Sequence, residues 1–554
     1  FLMIRRPPRS TLDRSSAAQM CIRDRFNTQS NFYNIMRMPR NIFLIFALFI
    51  TLPTLVFSQI KNQGAIGSVT IDGKVWNQIA MRPVIPFGKW GVALDLVFYF
   101  DAEGNIHSDE WDFSSGNAIK NTLIDKIYYI RYGFPGGPTY AKIGALDRVD
   151  LGYGILVSGY ANNMLYPQDR KIGLNYEKNS KYNNIEIFIN DFKENIGLIG
   201  GRYTTKRLLG LPIGFSIVSD RNQFLGLKDS DGDGRPNVVD DFPNDDAWWV
   251  DTDGDGIADN DPGELDIDGD GITDTLDSRI PGYSGETVIL DNDILRKGEP
   301  INLSKDKDKI MAFAVDIGYP LVKREKLSLS VYAQMAQMIG KTLDPASEDP
   351  LALGRGLVPF GMSSTFGPAR FNFEYRIIPD GRFEFNYWNR LYEIERVSLT
   401  KTDDNQINLK TKESSLGRFG EQKGYFARLR LNMGSLIEAG ASYSDMLGDI
   451  WSPNEQSYIQ KKNQTFLASL RLKKSISRIK YAYAFYQQRN VPNPFKFIYT
   501  ESTILGYQVG VSMGNGLVLS YTFRRSFRDQ NGDGEISGGK ETIDIISIET
   551  SFSF

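Results

Sequence analysis

Cysteine and histidine are almost missing from this chain of 554 residues, which holds one of each, Cys21 and His107. A single cysteine excludes disulfides. A single histidine excludes both a His-based triad and a histidine-rich zinc site. Long apolar runs are scarce as well: the run Ile42 to Phe57 falls short of the roughly 20 residues that a membrane helix needs, and no later stretch approaches that length. The glycine-rich "GFPGGP" at 133–138 lacks the lysine and the strand-to-helix setting of a phosphate loop, so it reads as a turn. Catalysis therefore has little to stand on, and the chain does not read as an enzyme.

The first residues are not fold. "FLMIRRPPRSTLDRSSAAQMCIRDR" looks like translated sequencing-adapter read-through, and residues 1–25 are set aside. Met36 or Met38 then opens a short basic region, an apolar run and the small Ser58, so 36–58 reads as a signal peptide of an exported protein. Cys21 lies in the set-aside part. An exported chain without disulfides needs another source of stability, and a large closed sheet or bound metal would supply it.

The remainder is organised in strands. "FNFEYRI" alternates Phe371, Phe373, Tyr375 and Ile377 with Asn372, Glu374 and Arg376, the period of a strand with two different faces. "RFEFNYW" (Phe383, Phe385, Tyr387) repeats it after the turn "PDG" at 379–381, as do "IKYAYAFY" (Ile479, Tyr481, Tyr483, Phe485) and "LVLSYTF" (Leu517, Leu519, Tyr521, Phe523). The polar faces carry full charges in mid-strand, among them Arg428, Arg430, Arg471 and Lys480. A row of charges opposite a continuous apolar face fits a barrel with a wet lumen and a lipid-facing exterior. Turns at 379–381, 433–435, 474–477 and 513–516 are tight, whereas 393–421, 447–462, 489–501 and 528–540 read as long loops, the asymmetry of outer-membrane barrels. The expected fold is all-β: a transmembrane antiparallel β-barrel of about 16 to 20 strands, formed by 64–222 and 305–554 with an insertion at 223–285.

The last strand, "IDIISIETSFSF", ends in Phe554. It resembles the assembly signal of bacterial outer-membrane barrels. The resemblance implies the outer membrane of a diderm bacterium, its lipid, and the barrel-assembly machinery as a partner. If that end faces the periplasm, the tight turns do too, and the insertion is extracellular.

The insertion is strongly acidic. From Asp229 to Asp277 there are 18 acidic residues and one basic, Arg235, so this segment carries −17 and, against a total of −3, the rest carries +14. The acids keep register. Asp229, Asp231, Asp233, Asn237 and Asp240 occupy loop positions 1, 3, 5, 9 and 12, as do Asp266, Asp268, Asp270, Asp274 and Asp277; Asp251, Asp253, Asp255 and Asp259 fill the first four, with Pro262 at the twelfth. Gly234, Gly256 and Gly271 all fall at position 6. Oxygen ligands at this spacing and a glycine for the sharp turn are what one continuous Ca2+ loop requires, and so many carboxylates would repel one another without cations. "DSDGDGRPNVVDDFPND", "DTDGDGIADND" and "DIDGDGITDTLD" resemble thrombospondin type 3 repeats, with Ile257 and Ile272 at position 7. The resemblance implies an extended calcium-stapled rod; Arg235-Pro236 departs from the pattern. A further stretch, "DQNGDGEISGGKE", offers Asp529, Asn531 and Asp533, with Glu541 one place late; it reads equally as an EF-like site or a polar hairpin tip.

Two functions follow as expectations. The first is a channel or transporter for small solutes, leaning toward anions through Arg376, Arg428, Arg430, Arg471 and Arg524, because a barrel this large encloses a lumen. The alternative is surface adhesion or envelope architecture, with the barrel an anchor and the calcium module binding a surface or protein partner.

Overall fold

The computed structural model describes residues 63–554 except 72, 108–110, 112, 114–115, 209, 268, 270, 272–296, 325, 402–406, 530–535, 540 and 554. The set-aside residues, the expected signal peptide and Phe554 lie outside the described residues. Among them one antiparallel sheet of 22 strands dominates.

The sheet closes on itself. Gln63–Ile71 pairs on one side with Lys74–Met81 and on the other with Thr542–Ser553, where Gly64 faces Phe552 and Val69 faces Ser547. Two of the 22 strands continue a neighbour across a short break, Val84–Phe87 after Arg82-Pro83 and Leu96–Phe100 after Asp95, so the ring has 20 staves. Every pairing in it is antiparallel. The connections at the end where Ser553 lies are short: 88–89, 180–182, 326, 367–368, 434–436 and 515–516 among them. The other end carries 101–126, 145–172, 221–309, 340–354 and 379–418, so the acidic insertion leaves the barrel opposite the chain's last strand.

The two faces differ as the alternation demands. Outward side chains are apolar and uncovered, for example Ile217 at 55%, Tyr425 at 57% and Leu470 at 53% exposure. Inward Glu374 and Arg376 are buried and paired to each other. A closed ring with an apolar outside leaves the wall no unpaired edge strand, which is the condition for crossing lipid with strands.

Three expectations are corrected. "PDG" is not a tight turn between hairpin strands: after Ala369–Ile378 the wall continues with Phe419–Met433, and 379–418 is a long connection. The segment Phe383 to Trp388 alternates because one face meets an apolar core while Glu384 meets Arg489; both faces are buried. Second, 447–462 is not a loop. Its polar residues belong to Ile437–Ser452 and Ser457–Leu472, a hairpin whose tip is 453–456 and which projects past its neighbour, since Ile479–Val491 ends opposite Gln464. Third, Tyr481, Tyr483 and Phe485 face the lumen rather than lipid, and Lys480 falls in a register shift beside Ile479.

An arginine in place of Ile217, in the middle of Ile213–Asp220, is expected to cost about 2–4 kcal/mol in lipid if it lies near the midplane. Equilibrium unfolding in bilayers measures it; an effect within about 0.5 kcal/mol would mark that face as water-exposed.

Candidate functional site: a half-filled lumen and the acidic loops at its rim

Two connections fold into the barrel and pair with each other. Asn386 N donates to the Ile155 carbonyl at 2.8 Å, Trp388 N to Leu156 at 3.2 Å, and Ser158 N to Trp388 at 3.3 Å. This plug, from 145–172 and 379–418, is apolar on one side: Leu156, Val157, Tyr160, Phe383 and Trp388 are buried against inward Phe188, Val218, Tyr332 and Val358 of the wall. The approach is close enough to require glycine. A Cβ on Gly356 would sit 2.1 Å from the Phe383 ring.

At the rim the plug is tied down by buried charge. Arg396, with no exposed surface, holds Asp220 at 2.7 Å and Glu194 at 2.9 Å; Tyr392 also donates to Asp220 at 2.7 Å, and Lys171 pairs with Glu194. Removing one partner from such a pair leaves an uncompensated buried charge, typically worth 3–5 kcal/mol. Nothing in the periodicity marked these residues. The pairing joins positions 176 apart, and only the fold brings them together.

The opposite half of the lumen is open. A cavity of about 550 Å³ lies between the plug and the wall. On one side its charges are balanced: Arg82 bonds Asp95 at 2.9 Å and Glu549 at 2.8 Å, and Arg170 bonds Asp95 at 3.1 Å. On the other side Arg390, Arg471 and Arg524 have no carboxylate partner among the described residues. Arg390 donates to Tyr483 Oη at 2.6 Å and lies over Phe485 at 5.2 Å; Arg471 lies over Tyr483 at 4.9 Å; Arg524 donates to the Met164 carbonyl. Aromatic rings and neutral oxygens hold these guanidiniums in place without cancelling their charge. Of the expected lumen arginines, Arg471 and Arg524 line this cavity, while Arg376, Arg428 and Arg430 line a smaller one of about 140 Å³. Arg390 borders both. The sequence reading passed it over, because it lies in the plug and not in a strand.

At the rim, the first two acidic loops bring carboxylates together. Oxygens of Asp229, Asp231 and Asp233 lie within 4.8 Å of one another, as do those of Asp251, Asp253 and Asp255. Position 6 adopts positive φ in all three loops, +92° at Gly234 and Gly256 and +87° at Gly271, where a side chain is strained. Asp231, Asp233 and the buried Asp240 each keep one carboxylate oxygen without a partner, as does Asp266. Burial pushes Asp229 up to about 6 and Asp240 up to about 6. At position 9, Asn237 braces Ser230, and Asp259 braces Thr252, with both side-chain ends engaged. Asp268, Asp270, Asp274 and Asp277 lie outside the described residues. In the last long loop Asp529 N donates to Glu501 and Glu541 accepts from Ser537 N, while Asn531 and Asp533 lie outside the described residues.

No protein-family model and no curated protein matches the chain. Solved structures to which it is similar include Pseudomonas aeruginosa OccK5 (OpdH), at 7% identity over 89% of this chain and 96% of that one with a TM-score of 0.32. Acinetobacter baumannii OccAB4 follows at 8% identity over 89% and 97%, TM-score 0.31. The outer membrane protein OprD from Pseudomonas aeruginosa is 10% identical over 90% and 94%, TM-score 0.30. At scores this low the likeness adds nothing to what the strand pairs themselves establish.

Glu413, in the plug, is pushed up to about 8 by burial and then by Asp308. The folded chain thus holds a proton that the unfolded chain releases near 4.5, so the stability contributed by the protonated group is full below that value and is lost as pH rises toward 8. Protease susceptibility of 411–416 is expected to increase across that window, and Glu413→Gln should flatten the profile.

Proposed function

We propose that this chain is an outer-membrane channel for small solutes with a preference for anions. The observation that carries the reading is the one-sided lumen: a cavity of about 550 Å³ with Arg390, Arg471 and Arg524 uncompensated on its wall. A positive potential in a low-dielectric channel raises the local concentration of anions and excludes cations. The first acidic loop has the donor set of a calcium site, with clustered carboxylates, partnerless oxygens and glycine at the turn, all oxygen ligands as Ca2+ requires. Asp229, Asp231, Asp233 and Asp240 would hold the ion there, Asp251, Asp253 and Asp255 a second. The ion would supply the charge neutralisation that lets these loops stay folded. With the last strand at the periplasmic side, delivered by the barrel-assembly machinery, these loops are extracellular.

In planar bilayers under a salt gradient, the reversal potential is expected to lie toward the anion. Arg390→Gln combined with Arg471→Gln and Arg524→Gln should move it toward the cation with the barrel intact. A purified barrel that conducts nothing sinks the channel reading.

The filled half of the lumen favours a second reading, in which the barrel is an anchor and the acidic module binds a surface. Deletion of 229–277 should then abolish cell adhesion while leaving conductance as it was; unchanged adhesion would remove this alternative.

A further inference from the structure

The acidic insertion and the plug are joined by a continuous set of contacts that the channel reading does not use. The link is the segment 297–309, which leads from the insertion back to the wall. Its upper part is bound to the acidic loops. Lys297 N donates to Thr252 Oγ1 at 3.0 Å, and its ammonium reaches Asp241 at 3.0 Å. Glu299 accepts from Trp249 Nε1 at 2.9 Å and from Arg235 at 3.2 Å, with Arg235 lying over the Trp249 ring. Leu303 N donates to the carbonyl of Gly234, the sixth position of the first loop, at 2.8 Å.

The lower part grips the residues that seat the plug. Asn222 Nδ2 donates to the carbonyls of Leu303 at 3.2 Å and Asp306 at 3.0 Å, and its Oδ1 accepts from Asp308 N at 3.2 Å. The Asn222 carbonyl accepts from buried Arg396 at 3.2 Å. Gln223 N donates to the Asp308 carbonyl at 2.8 Å, while its Oε1 accepts from Tyr387 Oη at 2.8 Å and from Glu413 N at 3.3 Å. Asp308 also pairs with Thr411 Oγ1. Two residues, Asn222 and Gln223, thus hold the link 297–309 with one set of groups and the plug with the other.

We propose that the first acidic loop is a divalent-cation latch on the plug: with the ion bound, 297–309 is held in place and clamps Asn222 and Gln223 against the plug; without it, the plug loosens at the rim. This rests on the calcium reading of the loop. Asp229, Asp231 and Asp233 converge, and Asp231, Asp233 and the buried Asp240 each keep a partnerless oxygen, so the loop as folded demands a cation, and the Gly234 carbonyl that receives Leu303 belongs to that fold. An opening that requires the loop to unfold is suppressed by the factor 1 + [ion]/Kd, about a hundredfold at a hundred times Kd.

The test uses the full chain in nanodiscs, with Ca2+ as the probe. Isothermal titration measures uptake, and hydrogen exchange followed by mass spectrometry reads plug segments 383–396 and 411–416 with calcium and after chelation. The expected result is calcium uptake reduced by the first loop's ion in Asp231→Asn with Asp233→Asn, and plug exchange rising about 10- to 100-fold on chelation of the unsubstituted chain. Asn222→Ala should retain uptake yet show fast plug exchange in both conditions. If that variant does not assemble, Leu303→Pro, which removes the donor to Gly234 and also fixes φ at that position, should behave likewise. Uptake with plug exchange indifferent to chelation overturns the latch alone. Absence of uptake overturns the calcium reading and the latch with it.

Discussion

In a hydrocarbon medium an unpaired peptide group has nowhere to turn, and that constraint organises the whole structure. Gln63–Ile71 must find Thr542–Ser553 because each would otherwise present an unpaired edge. Once the ring is closed, alternation does the sorting: one face of each strand goes out to lipid and the other turns inward. The inside then becomes the only place where charge can be kept, and a ring of 20 staves encloses more space than its own side chains fill. The plug and the cavity divide that space between them.

The division is uneven for a chemical reason. Along the wall from Asn183–Ile189 to Ile437–Ser452, inward positions include Phe188, Val218, Ala312, Ala336 and Met446, and the plug meets them as one layer of a core meets another. Some charges there are paired, as Arg202 is with Asp316 and Arg376 with Glu374, while Arg428 and Arg430 line the smaller cavity. Along the remaining wall the residues that line the larger cavity mix arginines, tyrosines and small polar side chains with Val69, Phe485 and Ile545. The larger cavity therefore lies along the second arc, and the smaller one, with Arg376, Arg428 and Arg430, along the first.

Much of the wall was legible in the sequence. Phe371 to Ile377 and Leu517 to Phe523 were assigned to the correct faces, because on these strands the apolar side chains really do meet lipid. The reading failed where alternation had another cause. Phe383, Phe385 and Tyr387 alternate inside a plug, where one side is core and the other is an ion pair. Tyr481, Tyr483 and Phe485 were taken as lipid-facing because they are aromatic, yet in the lumen they carry the guanidiniums of Arg390 and Arg471. Local pattern reports that two faces differ, not which medium each one meets. In the acidic insertion the spacing identified the clustered carboxylates, because one continuous loop holds them. It did not show that Asn237 and Asp259 brace the loops, since their partners are backbone and hydroxyl groups that any neighbouring residue can offer.

The seam between Gln63–Ile71 and Thr542–Ser553 has a kinetic consequence. The contact that seals the ring joins nearly the two ends of the described chain, the longest loop closure available to it, so sealing is among the slowest steps. Until it forms, the first strand waits with one side bare, a template for mispairing with any other extended segment. Such a chain has to reach its membrane before it is sealed, and its passage there is governed by how long that first edge can be shielded.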